Sequence, residues 1–190
     1  MKAILLDDFS DPGKINDKDP RQSLLGDYNV NVVCRNVVQD GLGLSPESVD
    51  AVTSFDMIEH LHSSPKKFLH DAMKALQPNG VLLLGVPNCV NLRKRITLPL
   101  GKGIWSDFSD WYEPPIFRGH VREPDVQDLR KIAQDISLCD YQIFGRNWLG
   151  YENKSHIVRT ACRIADNILR YIPSLCSDLY LLGWRRQKRG

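Results

Sequence analysis

The sequence predicts an α/β domain built on a mostly parallel sheet, and three observations carry that expectation. Val81-Leu-Leu-Leu-Gly-Val86 is a nearly continuous apolar run, the pattern of a strand covered on both faces. Residues 49–55, Val-Asp-Ala-Val-Thr-Ser-Phe, read as a second strand. Between them Phe68, Leu69, Ala72, Met73 and Leu76 recur on one helical face. Strand, helix and strand in succession form the βαβ unit of such a sheet.

The other elements follow in chain order. Residues 2–6 form a short apolar run closed by Asp7-Asp8, which reads as a buried strand. Residues 9–23 are polar with two prolines and read as loop. Residues 30–38 hold five valines, which is strand chemistry, and Gly41-Leu-Gly-Leu-Ser-Pro is a loop. Ser63 or Ser64 caps the helix after residues 49–55, Pro65 suits its first turn, and Pro78-Asn79-Gly80 ends it. Residues 89–122 are rich in Arg, Trp, Pro and Gly and read as an irregular lid or substrate loop. Asp125 then starts a helix with Val126, Leu129, Ile132, Ala133 and Ile136 inward. Residues 141–144 are strand-like, 157–171 an amphipathic helix, 179–184 a last strand, and 185–190 a basic tail.

Composition narrows the function classes. The chain has 190 residues, enough for one domain with its own core. Its 25 Lys+Arg and 23 Asp+Glu leave a formal charge of +2, which exerts no general pull on nucleic acid. No apolar run approaches the ~20 residues that cross a bilayer, so no transmembrane segment is expected. The N-terminus meets Asp7 and Asp8 before a signal-peptide core can form, and the expected compartment is the cytoplasm. Five scattered cysteines (34, 89, 139, 162 and 176) form no Cys-x-x-Cys pair and read as small core residues.

The most informative stretch runs from Ser48 to Asn88. Its landmarks are Ser-Val-Asp-Ala-Val-Thr-Ser-Phe-Asp-Met-Ile-Glu-His-Leu, a helix, Ala-Leu-Gln-Pro-Asn-Gly, then Val-Leu-Leu-Leu-Gly-Val-Pro-Asn. This order resembles the central part of the class I S-adenosylmethionine-dependent methyltransferases, the type 11 group, with Asn79 in place of a glycine. The resemblance continues through Asn91-Leu-Arg-Lys-Arg95, Phe117-Arg-Gly-His-Val-Arg-Glu123 and Arg146-Asn147-Trp148. It is nearest to a bacterial subgroup associated with cell-surface glycans and lipid-linked sugars. It implies a Rossmann-like, mostly parallel seven-stranded sheet whose last strand, residues 179–184, runs antiparallel beside residues 141–144.

One departure stands out. The family opens with a strand and a Gly-x-Gly-x-Gly loop, which lets backbone approach the methionine part of the cofactor. No such motif occurs in this chain. Residues 2–8 resemble the family's second strand instead, so the first strand and first helix are expected to be missing. Three readings stay open: a shortened form of a longer enzyme, a degenerate homologue, or a domain completed by another chain. The missing strand is central in the family. Residues 2–6 are therefore expected beside residues 51–55 or at a subunit interface, a homodimer through the exposed edge included.

The resemblance also assigns candidate residues. Asp7 or Asp8 would hold the ribose of S-adenosylmethionine. Asn36, followed by Val37, falls where the family places an adenine-binding Asp, and Phe55, Asp56 and Glu59 complete the cofactor set. His60, beside the sulfonium, and His120, in the loop over the substrate, are candidate bases, since an imidazole near pKa 6.5 takes a proton at neutral pH. Asn88, Arg93, Arg118, Arg122 and Asn147 are candidate substrate residues, with Trp105, Trp111, Tyr112 and Phe117 as surfaces for a sugar or ring. No metal site is expected: His60 and His62 share a face only on a strand, and the sequence shows no third ligand. The expected function is methyl transfer to a small molecule or a glycan or lipid-linked sugar. The alternative is a non-catalytic methyltransferase-like subunit, and nucleic-acid binding ranks last.

Overall fold

The structure is a computed structural model, and its described residues are 3–7, 28–138, 140–148 and 154–186. Asp8, Cys139, the 9–23 loop and residues 187–190 of the tail lie outside them. Among the described residues six strands form: β1 (Ala3–Asp7), β2 (Val30–Cys34), β3 (Val49–Phe55), β4 (Leu76–Pro87), β5 (Tyr141–Arg146) and β6 (Asp178–Trp184). Five α-helices among the described residues accompany them: α1 (Lys66–Ala75), α2 (Leu92–Thr97), α3 (Phe108–Tyr112), α4 (Val126–Asp135) and α5 (His156–Leu169).

The strands make two ladders. β3 runs parallel to β4, β6 joins β4 antiparallel, and β5 closes that edge antiparallel to β6, giving the order β3-β4-β6-β5. The antiparallel β5–β6 pair matches the sequence expectation, with Tyr141 opposite Gly183 and Phe144 opposite Tyr180. β1 and β2 form a separate parallel pair, from Ala3 opposite Val30 to Asp7 opposite Cys34. The expectation that residues 2–6 lie beside residues 51–55 is therefore corrected: β1 pairs with β2, not with β3. The β1–β2 pair is a ladder of its own, and Leu6 and Val37 beside it pack against the main core.

The core lies on one face of the larger sheet. Leu82, Leu84 and Val86 of β4 and Leu179 and Leu181 of β6 alternate inward and meet Phe68, Leu69 and Ala72 of α1 and Leu129 and Ala133 of α4. The period-2 and period-3.6 patterns read from the sequence thus converge on one apolar layer. Asp135 of α4 ties the two helices together, 2.7 Å from Lys66 Nζ and 2.9 Å from His70 Nε2 of α1. Asp125 caps α4 as its side chain suggests, accepting from the backbone N–H of Gln127 and Asp128. Ser64 Oγ accepts from the Lys66 N–H at the start of α1. Gly41 and Gly43 both take positive φ, which lets Leu42 between them plug into the core.

The other face carries an aromatic row across all four strands. Phe55, Gly85, Tyr180 and Phe144 are register neighbours on β3, β4, β6 and β5. Phe144 stacks on Tyr180 at 5.2 Å, and the edge of Phe55 meets Tyr180 at 6.2 Å above Gly85. This face is less covered than the core face, and Phe55 stays 49% exposed.

Several elements differ from the sequence reading. Pro78-Asn79-Gly80 ends the helix, but inside the long β4 rather than before it. The pairing jumps from Val49–Leu76 to Ala51–Val81, so these residues form an irregular bulge with Asn79 at φ 65°. Residues 89–122 contain α2, α3 and a 3-10 turn, Leu98–Leu100. Helix α5 presents Ile157, Ile164 and Ile168 outward instead of to the core, and its one buried residue is Asp166. Arg185 is no free tail residue: its guanidinium donates to the Leu76 and Lys74 carbonyls and pairs with Glu47 at 2.9 Å. Of the described cysteines only Cys176 is buried.

Cys176 sits directly over Gly145. A Cβ at that glycine would lie 2.5 Å from Cys176 Sγ and 3.1 Å from the Pro173 backbone. Gly145→Ala is expected to destabilise the fold by about 1–3 kcal/mol through overpacking. Urea denaturation measures it, and an unchanged midpoint would show that this corner repacks freely.

Candidate active site

The site forms where the chain leaves β3. Asp56 turns it with φ 46°, its N–H bonded to the Gly85 carbonyl, and Ile58–His60 makes a single 3-10 turn. Ile58 drives that turn into the core, and the geometry carries Glu59 in with it, fully buried. The Glu59 carbonyl accepts from the N–H groups of Val121 (2.7 Å) and Arg122 (3.2 Å). His60 Nδ1 lies 2.8 Å from the Arg118 carbonyl and donates to it. These bonds clamp residues 118–122 of the lid onto the turn, 58 residues away in sequence.

The clamp brings His60 and His120 together, with ring centroids 4.7 Å apart and edge to face. His120 Nδ1 stands 2.7 Å from Glu123 Oε1, and the other Glu123 oxygen pairs with Lys94 of α2. Lys94 is itself buried, and its N–H is capped by Asn91. Lys94, Glu123 and His120 thus form a relay of fixed partners. Neither Glu59 oxygen has a hydrogen-bond partner, and His60 Nε2 lies 3.8 Å from one of them. Burial pushes the Glu59 carboxyl up to about 7, with the charges of Asp56 and Glu123 adding to the rise.

A cavity of about 590 Å³ opens beside His120. Trp105, Phe108, Trp111 and Phe117 line it, with His62 at its edge. Phe108 and Tyr112 stack at 4.9 Å, so the lid presents an ordered aromatic surface.

The structure sorts the remaining candidates. Asp7 lies at the carboxyl end of β1, where its carbonyl accepts from the Arg35 N–H and so neighbours Asn36. Asn36 Oδ1 accepts from the N–H groups of Val38 (3.2 Å) and Gln39 (3.0 Å), which commits it to the turn, and Val37 packs against the core. Asn88 is corrected: it is fully buried, and its amide bonds Ser174 and Cys176 carbonyls and the Val90 N–H. Asn147 is corrected likewise, since it links Asp166 of α5 to Ser177. Both hold the end of the sheet and have no group left for a substrate. Arg122 pairs with Asp128, and Arg93 and Arg118 are exposed beside the lid. Glu123 and Lys94 escaped the sequence reading, although the His-x-x-Glu spacing of 120 and 123 signals such a pair.

For S-adenosylmethionine the fit is partial. A carboxylate suited to ribose hydroxyls stands at the end of β1, but the Asn36 oxygen is already used. No glycine-rich loop exists in the chain to cradle the methionine end.

The fold is an α/β domain whose aromatic cavity lies beside the turn that follows β3 and the lid clamped onto it. Residues 11–84 match the family model described as a methyltransferase domain. A probable S-adenosylmethionine-dependent methyltransferase of Mycobacterium tuberculosis is 29% identical over 116 residues, 61% of this chain and 35% of that protein. A probable counterpart in Mycolicibacterium smegmatis is 31% identical over 93 residues, 49% of this chain and 30% of that one. The chain thus spans about a third of the length of these curated relatives. Among solved structures, an S-adenosylmethionine-dependent methyltransferase of Thermotoga maritima, described as a possible histamine N-methyltransferase, superposes with TM-score 0.56 at 12% identity. That match covers 97% of this chain and 73% of the other. One from Archaeoglobus fulgidus gives 0.52 at 14% identity, covering 96% and 86%. In sequence the chain is thus similar to S-adenosylmethionine-dependent methyltransferases, and it shares the fold of the solved ones. Among the described residues no helix is long and apolar enough to cross a membrane.

Proposed function

We propose that this chain is the acceptor-side part of a methyltransferase that acts on a small molecule or on a glycan or lipid-linked sugar. The observation that carries the reading is the clamp: two histidines and a buried carboxylate converge at the end of β3, beside an aromatic cavity large enough for a sugar ring. When bound, S-adenosylmethionine supplies an electrophilic methyl group, whose transfer needs positioning more than acid help. The chain's own residues supply the rest. His60 Nδ1 is held as a donor to the Arg118 carbonyl, so Nε2 carries a lone pair that can accept a hydroxyl proton. The lid aromatics stack on the acceptor and exclude water, with the exposed Arg93 able to meet an anionic group. Asp7 holds the cofactor ribose, and a complete methionine end needs a glycine-rich loop from another segment or chain.

Calorimetric titration of the 190-residue chain with S-adenosylmethionine and S-adenosylhomocysteine tests the cofactor half of this reading. Binding is expected, and Asp7→Ala should weaken it about tenfold, the loss of a charge-assisted hydrogen bond. No heat at millimolar ligand would favour the alternative, a methyltransferase-like subunit that does not bind cofactor by itself.

A further inference from the structure

We propose that Glu59, His60 and His120 form a binding site for one divalent transition-metal ion at the mouth of the aromatic cavity. Two independent observations carry this. The first is convergence: one potential ligand atom from each residue lies within 4.8 Å of the others. An ion bound at about 2.1 Å holds such atoms about 3–3.5 Å apart, so side-chain shifts of about 1 Å close the site. The second is the Glu59 carboxylate, which is fully buried, has no hydrogen-bond partner and lies against this pair of imidazoles. A cation between the three groups supplies the missing counter-charge.

The surroundings have the form of a metal site's outer shell. Ligand histidines commonly donate their second ring N–H to a carbonyl or a carboxylate. His60 does so to the Arg118 carbonyl, and His120 to Glu123, whose other oxygen is held by Lys94. These acceptors fix each proton on Nδ1 and leave each Nε2 as the free nitrogen. Two imidazoles with one carboxylate favour a transition metal over magnesium or calcium, which prefer oxygen. Three protein ligands leave positions open, and the cavity beside His120 reaches them. With the ion bound, His60 Nε2 is a ligand and no longer the base, and the ion would take over that role by lowering the pKa of an acceptor hydroxyl arriving from that cavity. That use rests on the methyl-transfer reading, whereas the binding itself does not.

The test is a titration of the EDTA-treated protein with Co2+, followed by its visible absorption and by competition with Zn2+. One Co2+ per chain is expected, displaced by one Zn2+, with a raised melting temperature. Glu59→Gln, His60→Ala and His120→Ala should each weaken binding by at least tenfold. Glu123→Gln, which acts only through His120, should weaken it by about tenfold. His70→Gln, on α1 and paired with Asp135, should leave it unchanged. Circular dichroism checks that each variant is folded, and His120→Ala, on the lid, serves if Glu59→Gln is not. Absence of stoichiometric binding at millimolar Co2+ overturns the proposal. Equal binding by folded Glu59→Gln and His120→Ala proteins overturns it too, because the ion then sits elsewhere. No cofactor enters this experiment, so its failure and a failure to bind S-adenosylmethionine are separate results.

Discussion

In metal-free protein at pH 8, Glu59→Gln is expected to stabilise the fold by about 1–2 kcal/mol, a gain that disappears near pH 4.5. The sign follows from proton binding. The unfolded Glu59 ionises near 4.5, whereas the folded carboxyl holds its proton up to about 7. Below 4.5 both states are protonated and the residue costs nothing. Between 4.5 and 7 the unfolded state loses the proton first, so wild-type stability falls as pH rises, by about 1.4 kcal/mol per unit. Above 7 the penalty is constant at no more than about 3–4 kcal/mol. Glutamine does not titrate and avoids this penalty, although its own buried amide returns part of the gain. Denaturation of both proteins at pH 4.5, 6 and 8 measures the difference. A destabilised variant at pH 8 would mean that the carboxylate is satisfied in solution. Saturating zinc should reverse the order, since only the wild type then gains its third ligand.

Amide hydrogen exchange should divide the molecule between its two ladders. The amides of β4 and β6 lie in a sheet whose inward residues, Leu82, Leu84, Leu179 and Leu181, are 0–1% exposed. The β1–β2 pair has no fully buried residue, and two-stranded sheets are marginal by themselves. Exchange in β1 and β2 is expected to be at least about a thousandfold faster, equivalent to about 4 kcal/mol of local stability. Equal protection would show that the two ladders open as one unit. Added S-adenosylmethionine should slow β1 and β2 selectively, because Asp7 and the Asn36 turn lie at their ends.

The two predictions fall on the parts of the fold that differ most in legibility. The larger sheet was readable because its elements are locally consistent. The apolar run 81–86, the capped helix after Pro65 and the capped helix after Asp125 each follow from spacing and end signals. Helix α5 was readable as a helix but not as an outward-facing one, since periodicity reports a stripe and not what covers it. Asn88 and Asn147 misled for the opposite reason: a polar side chain in a motif looks free until its neighbours are known.

The candidate site divides in the same way. Glu59, His60 and His120 stand out in the sequence by residue type and by the family pattern. Their meeting does not, because it depends on backbone bonds between the 3-10 turn and a lid some 60 residues later. The fully buried Glu59 carboxylate is likewise invisible in the sequence, as is the Lys94–Glu123–His120 relay.

By itself the sequence determined the α/β class, the family resemblance, the absent glycine loop and the antiparallel end of the sheet. These depend on local patterns, which the backbone reads within a turn or a strand. Only the tertiary structure decided that β1 stays with β2 rather than closing on β3, and that Glu59 faces two imidazoles without a hydrogen bond. Both depend on contacts between segments distant in the chain, where packing and desolvation, not propensity, set the energy.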